Sequence, residues 1–147
     1  MLNIIILPIT AGVIAQIIKF LISANKLKLN AKNLLAYSGM PSSHSAAVIS
    51  LATIIGLQIG WTSPLFGFAL IFAIIVIRDA IGLRRYLGQH GKILNVLVKD
   101  LKEDELLDEN YPHLLEKIGH TPLQVAMGGS IGLIISIIGY LISNNKI

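Results

Sequence analysis

Apolar residues in this chain come in four runs, separated by short polar joints and one long polar island. Residues 2–22 are mostly apolar, interrupted by Asn3, Thr10, Gln16 and Lys19. Residues 45–60 form a shorter run rich in Ala, Ile and Leu. Residues 64–83 form a third, with Arg78 and Asp79 near its end, and residues 122–142 a fourth. A membrane span needs about 20 predominantly apolar residues. The pattern therefore predicts an all-α integral membrane helical bundle of about four transmembrane helices, in a single membrane domain over 1–147. The first run begins at the initiator methionine without a basic leader or a small-residue cleavage site, which predicts a retained helix rather than a signal peptide. In the fourth run Gly128 and Gly132 are spaced for close helix contact. The polar island, 84–121, mixes both charge signs in "KDLKEDELLDENYPHLLEK" and is broken by Pro112. It predicts short amphipathic helices or a membrane-surface loop, with its acidic cluster as a solvated face.

Composition sharpens this picture. The chain is 54% hydrophobic and only 14% charged, with mean hydropathy +0.73, where soluble domains carry about 25% charged residues. It has no cysteine, which excludes disulfides and thiolate metal sites. The net charge of +4 does not imply nucleic acid, because the basic residues sit beside membrane-length runs rather than on a polar face. Their distribution matters more than their sum. Lys26, Lys28 and Lys32 follow the first run, and Arg84, Arg85, Lys92, Lys99, Lys102 and Lys117 lie in the island. The "WTSP" turn is uncharged, and Lys146 stands alone on the other side. By the positive-inside rule both termini are outside and the basic loops cytoplasmic. The expected location is the plasma membrane of a bacterium or an equivalent internal membrane.

This topology gathers Lys19, "PSSH", Arg78, Asp79, Arg84, Arg85, His90 and His120 at one membrane face. In "GMPSSHSA", Pro41 favours a first helical turn and Ser42 or Ser43 can cap its amides. A helix amino terminus attracts anions, and His44 could protonate or hydrogen-bond a bound oxyanion. Equally, the segment could be no more than a well-made helix start. Arg78 and Asp79 form either a structural pair or part of a site, because charges inside a span pair or mark function. Lys19 lies at a depth comparable with Asp79. Arg84 and Arg85 read as cytoplasmic anchors or as bidentate phosphate ligands. "GHTPLQ" places His120 and Thr121 ahead of Pro122 and repeats the histidine, hydroxyl and proline of "PSSH". Two helix amino termini facing one basic cluster describe an anion site. No histidine pair has a metal-ligand spacing beside a carboxylate, so no metal is expected.

With these residues the chain resembles the divergent branch of the type 2 phosphatidic acid phosphatase superfamily, related to acid phosphatases and vanadium-dependent haloperoxidases. "GMPSSHSA", "IRDAIGLRR", Leu94-Asn95 and "GHTPLQV" look like that branch, in its order, over nearly the whole chain. The wider superfamily works through Lys-x6-Arg-Pro, Pro-Ser-Gly-His and Ser-Arg-x5-His-x3-Asp, without a metal. The resemblance makes His44 the acid, His90 the nucleophile and Arg84 a phosphate ligand, with Lys19 the first-motif lysine. The chain departs from the pattern in several places. Lys26-Leu27 stands in place of Arg-Pro, Ser43 in place of glycine and Leu83 in place of serine. Leu94 stands where the orienting aspartate belongs, with Asn95 one position late. An imidazole without its carboxylate is less basic and less well held. Superfamily enzymes also commonly place their site on the outer face, whereas the lysines here put it on the cytoplasmic one.

The function expected is metal-independent hydrolysis of a membrane-resident lipid or polyprenyl phosphate or diphosphate, with no cofactor. His90 and His44 would be catalytic, and Lys19, Ser42, Ser43, Arg84 and Arg85 would bind phosphate. Arg78, Asp79, Asn95, His120 and Thr121 would be accessory. Two alternatives remain open: a non-catalytic protein binding phosphorylated lipid headgroups or moving an anion, and a purely structural bundle with an interfacial polar belt. Membrane lipid is the expected partner, and four spans leave room for pairing with a second copy.

Overall fold

In the computed structural model the described residues are 3–22, 39–103, 113–114, 116 and 119–144, with the side chains at 84, 85, 102 and 103 excepted. The loop lysines 26, 28 and 32, Pro112, Lys117 and Lys146 lie outside the described residues. Five helices are present among them: α1 Asn3–Leu21, α2 Ser43–Ile59, α3 Pro64–Ile81, α4 Leu83–Glu103 and α5 Pro122–Asn144. Four are apolar. Three candidate membrane spans begin at Asn3, Pro64 and Pro122, and α2, at 17 residues, is a shorter apolar helix.

On α1, α3 and α5 most of the buried residues are small and the large aliphatic ones face outward. On α1 the buried positions are Pro8, Ala11, Ala15 and Lys19, while Ile5, Ile6, Ile9, Val13 and Ile17 are exposed. On α3 the buried residues are Ala69, Ala73 and Ala80, and on α5 they are Val125, Gly128, Gly132 and Ser136. Lipid is as apolar as Leu, so large aliphatic side chains gain nothing by turning inward. Close backbone packing favours small residues at the contacts instead.

The short α2 is the central element. It packs on α1, α3 and α5, and it buries Ser45, Ala46, Val48, Ser50 and every residue from Ala52 to Gly56. At 17 residues it is about 25 Å long, less than the roughly 30 Å of a hydrocarbon core. Its neighbours shield it from lipid, so a shorter helix suffices. A Cβ on Gly128 would run into the Ser42 carbonyl oxygen, and one on Gly132 into that of Ala46. One turn further on, Ser50 Oγ and Ser136 Oγ are 2.7 Å apart, and Ser136 Oγ also donates to the Ser50 carbonyl at 3.0 Å. The register 42–128, 46–132 and 50–136 advances in the same direction on both helices. Helices α2 and α5 are therefore parallel and begin on the same face.

Connections fix the rest. Ser63 caps α3 by accepting the Phe66 amide at 3.2 Å, and Pro64 occupies its first turn. Trp61 closes the turn edge-on against Phe66, with ring centroids 5.1 Å apart. Gly82, at φ −91° and ψ −84°, separates α3 from α4. The polar region beyond it differs from the sequence expectation in one respect: residues 83–103 form one helix of 21 residues rather than short pieces. Gly88 and Gly91 do not interrupt it, since each costs only about 1 kcal/mol relative to Ala among Leu, Lys, Arg and Gln.

Candidate functional site

Two helix starts meet at one end of the bundle. Ser42 is the N-cap of α2, and its hydroxyl oxygen accepts the Ser45 amide at 3.3 Å and the Ser45 hydroxyl at 3.0 Å. Its own amide donates to the Gln124 carbonyl in the first turn of α5 at 3.0 Å. The close approach at Gly128 locks this junction. Gly39 precedes one start and Gly119 the other, at φ 119° and 99°, conformations that glycine adopts without the penalty of a Cβ.

Helix α5 begins with a capping box. Thr121 Oγ1 accepts the Gln124 amide at 3.3 Å, and Gln124 Oε1 accepts the Thr121 amide at 2.9 Å. The Val125 amide reaches the Thr121 carbonyl at 3.2 Å, and Pro122 has no amide to offer. The terminus of α5 is therefore largely satisfied by its own residues. In α2 the Ser45 and Ala46 amides are taken by Ser42, and those of Ser43 and His44 come before them at the helix end.

His120 is buried at this junction, only 4% exposed. Its amide donates to the carbonyl of Ala80 at 2.9 Å, tying the end of α3 to the start of α5. Its Nδ1 lies 3.3 Å from Gln124 Oε1. That atom also receives the Thr121 amide, so it is the carboxamide oxygen, and Nδ1 must carry the proton.

Lys19 is buried in the last turn of α1. Gly12 of α1 meets the Ser43 carbonyl as Gly128 of α5 meets that of Ser42. Lys19 lies seven residues beyond Gly12, and Thr121 seven residues before Gly128, about 10 Å in each case. Lys19 thus sits level with Thr121 and His120, and through His120 with the end of α3, where Asp79 is half-buried and Arg78 exposed.

The remaining expected residues are in the first turn of α2 and along α4. Ser43 is half-buried, whereas His44 is exposed. Arg84 and Arg85 lie in the first turn of α4, and their side chains are outside the described residues. His90 is exposed on α4, a helix that meets the bundle chiefly through α3. Asn95 is engaged with the returning chain. Its Oδ1 accepts the Leu114 amide at 2.9 Å, and its Nδ2 donates to the Leu114 carbonyl at 2.9 Å and to Glu116 Oε1 at 2.9 Å. A cleft of about 640 Å³ lies at the opposite end of the bundle, between Ile4, Gln58, Leu65, Tyr140 and Asn144. Among the described residues, no charged side chain lines it.

Sequence reasoning passed over Gln124, whose two faces organise the junction. Its signal was the Thr-x-x-Gln spacing of a capping box. It gave no role to Ser45, whose amide and hydroxyl both donate to the Ser42 hydroxyl oxygen.

The model of the divergent PAP2 family matches residues 2–135. The chain is 35% identical over 143 residues to the Bacillus subtilis (strain 168) protein named uncharacterized membrane protein YuiD, covering 88% of this chain and 89% of that one. No solved structure matches. A family match that takes in α1 to α3, the "PSSH" start of α2, the "GHTPLQ" start of α5 and much of α5 leaves one assignment: this integral membrane protein belongs to the divergent PAP2 family.

Proposed function

We propose that the chain is a metal-independent phosphatase acting on a membrane-resident phosphate ester or diphosphate, of lipid or polyprenyl type, at the cytoplasmic face of a bacterial plasma membrane or an equivalent internal membrane. The observation that carries this reading is the junction of the two helix starts. The Ser42–Gln124 hydrogen bond holds the "PSSH" terminus of α2 against α5, with His120 buried at the start of α5 and Lys19 buried in the last turn of α1. The phosphate oxygens would sit at the α2 terminus, balanced by Lys19, Arg84 and Arg85. An imidazole nitrogen of His90 would attack phosphorus as the bond to the leaving oxygen breaks. His44 would supply the proton to that oxygen, and water would then release phosphate from His90.

A second reading, binding of a phosphorylated headgroup without hydrolysis, is favoured by one specific observation. The place of an orienting carboxylate beside His90 is taken by Leu94, and the nearby Asn95 carboxamide is spent on the Leu114 backbone.

The test is inorganic phosphate release from lipid phosphates and polyprenyl diphosphates by the purified protein in detergent with EDTA, with and without vanadate. Vanadate-sensitive turnover that is lost in His44→Ala and in His90→Ala is the expected result. Folded protein that binds the lipids in competition with vanadate, yet releases no phosphate, would replace the enzyme by the binding protein.

A further inference from the structure

Helix α4 carries a leucine-rich face of which the enzyme reading uses only His90. Leu83, Leu87, Leu94, Leu97 and Leu101 recur at helical spacing along one side, and all five are between 39% and 66% exposed. His90 falls on the same stripe, whereas Lys92 and Lys99 lie roughly opposite it at 100° per residue. A stripe this long is costly to hold in water, so something covers it.

The position of α4 along the chain narrows the choice. Helix α3 has 18 residues, about 27 Å at 1.5 Å each, which takes up the roughly 30 Å of hydrocarbon. Helix α4 therefore starts at the membrane boundary. From Pro64 to Leu101 the two helices run over 38 residues, or about 57 Å if straight, close to twice the apolar thickness. The chain breaks between them at Gly82. On the flank between the leucines and the lysines, Asn95 holds the returning segment at Leu114 and Glu116, leaving the leucine stripe as the outer face. By sequence α4 carries five basic and two acidic residues, a net charge of +3. That sign suits an anionic lipid surface.

We propose that α4 is an interfacial helix. It lies along the anionic bilayer surface on the face where α2 and α5 begin, with its leucine stripe sunk to the headgroup–acyl boundary and Lys92 and Lys99 turned to the aqueous side. His90 is thereby presented to the lipid headgroups rather than to bulk water. This placement is independent of hydrolysis: it stands if no substrate is turned over, and phosphate release alone would not establish it.

The chain has no cysteine, so single-cysteine variants each carry one nitroxide label without further changes. Labels at Leu83, Leu87, Leu94, Leu97 and Leu101 would be compared with labels at Lys92 and Lys99. The full-length protein would be reconstituted in phosphatidylcholine vesicles with and without phosphatidylglycerol. The expected result is a severalfold higher ratio of oxygen to nickel-chelate accessibility along the stripe than at the lysines, with the difference growing when phosphatidylglycerol is present. Equal nickel accessibility at both sets would mean that α4 projects into water and would overturn the proposal. Stripe labels shielded from both reagents and broadened by spin–spin coupling would also overturn it, in favour of a second copy. Five stripe positions keep the test decisive if one variant fails to fold.

Discussion

At Gly132 a single hydrogen decides how closely two helices approach. A Cβ there would press on the carbonyl oxygen of Ala46 and lie 3.0 Å from the Ser50 amide nitrogen. Both are helix backbone and cannot swing aside. Gly132→Ala should therefore push α5 away from α2, at about 1–3 kcal/mol for overpacking. It should also weaken the Ser50–Ser136 pair, worth about 0.6 kcal/mol on the scale of membrane-buried polar contacts. The check is the thermal unfolding midpoint in detergent, which should fall by several degrees. Gly67 is the control, because nothing lies within 4 Å of a Cβ there and Ala is the better helix former by about 1 kcal/mol. Gly67→Ala should leave the midpoint unchanged or raise it. Equal losses in both variants would mean that the helix contact is not what these glycines supply.

Among the elements, the apolar helices were legible because a span is a local property, written in length and hydropathy. The role of α2 was not. Its run looked merely short, yet Ser45, Ser50, Thr53 and Gly56 mark a helix surrounded by other helices, and all four are buried. The two helix starts were also legible from Ser, Thr and Pro. Their junction was not, since the Ser42–Gln124 bond depends on the parallel register that Gly128 and Gly132 impose. For α4 the signal was present in the leucine spacing, but Gly88 and Gly91 argued against continuity. Asn95 belongs to this scale because it joins elements rather than chemistry. Asn95→Ala should speed hydrogen exchange at the Leu114 amide about tenfold, for a hydrogen bond of roughly 1 kcal/mol or somewhat more, without altering exchange in α2. Asn95→Asp discriminates further. A carboxylate keeps the acceptor for the Leu114 amide but loses the donor to its carbonyl, and it places a second negative charge beside Glu116. It should loosen the same segment. If it instead left that segment intact and raised phosphate release, Asn95 would be a weakened form of the orienting aspartate expected from the wider superfamily.

For the molecule as a whole, the order of helix directions and the distribution of charge are independent observations that bear on one question. Helices α2 and α5 start where α1 and α3 end, and the Trp61–Ser63 turn lies at the opposite end. By sequence, eleven of the twelve basic residues fall on the side of the helix starts and only Lys146 on the other. A bias of that size sets orientation when the loops are short, and it predicts that the junction faces the cytoplasm. Thr62 and Lys92 are both exposed and lie on opposite sides of the bundle, so they report orientation directly. In intact cells Thr62→Cys should react with a membrane-impermeant maleimide, while Lys92→Cys should react only after permeabilisation. The reverse pattern would place the junction on the outer face, as in the wider superfamily, and would change the substrate it can meet. A cytoplasmic site meets lipid phosphates in the inner leaflet, where anionic headgroups give the net positive α4 a surface to lie on. Orientation therefore fixes which leaflet supplies both the proposed substrate and the proposed resting place of α4.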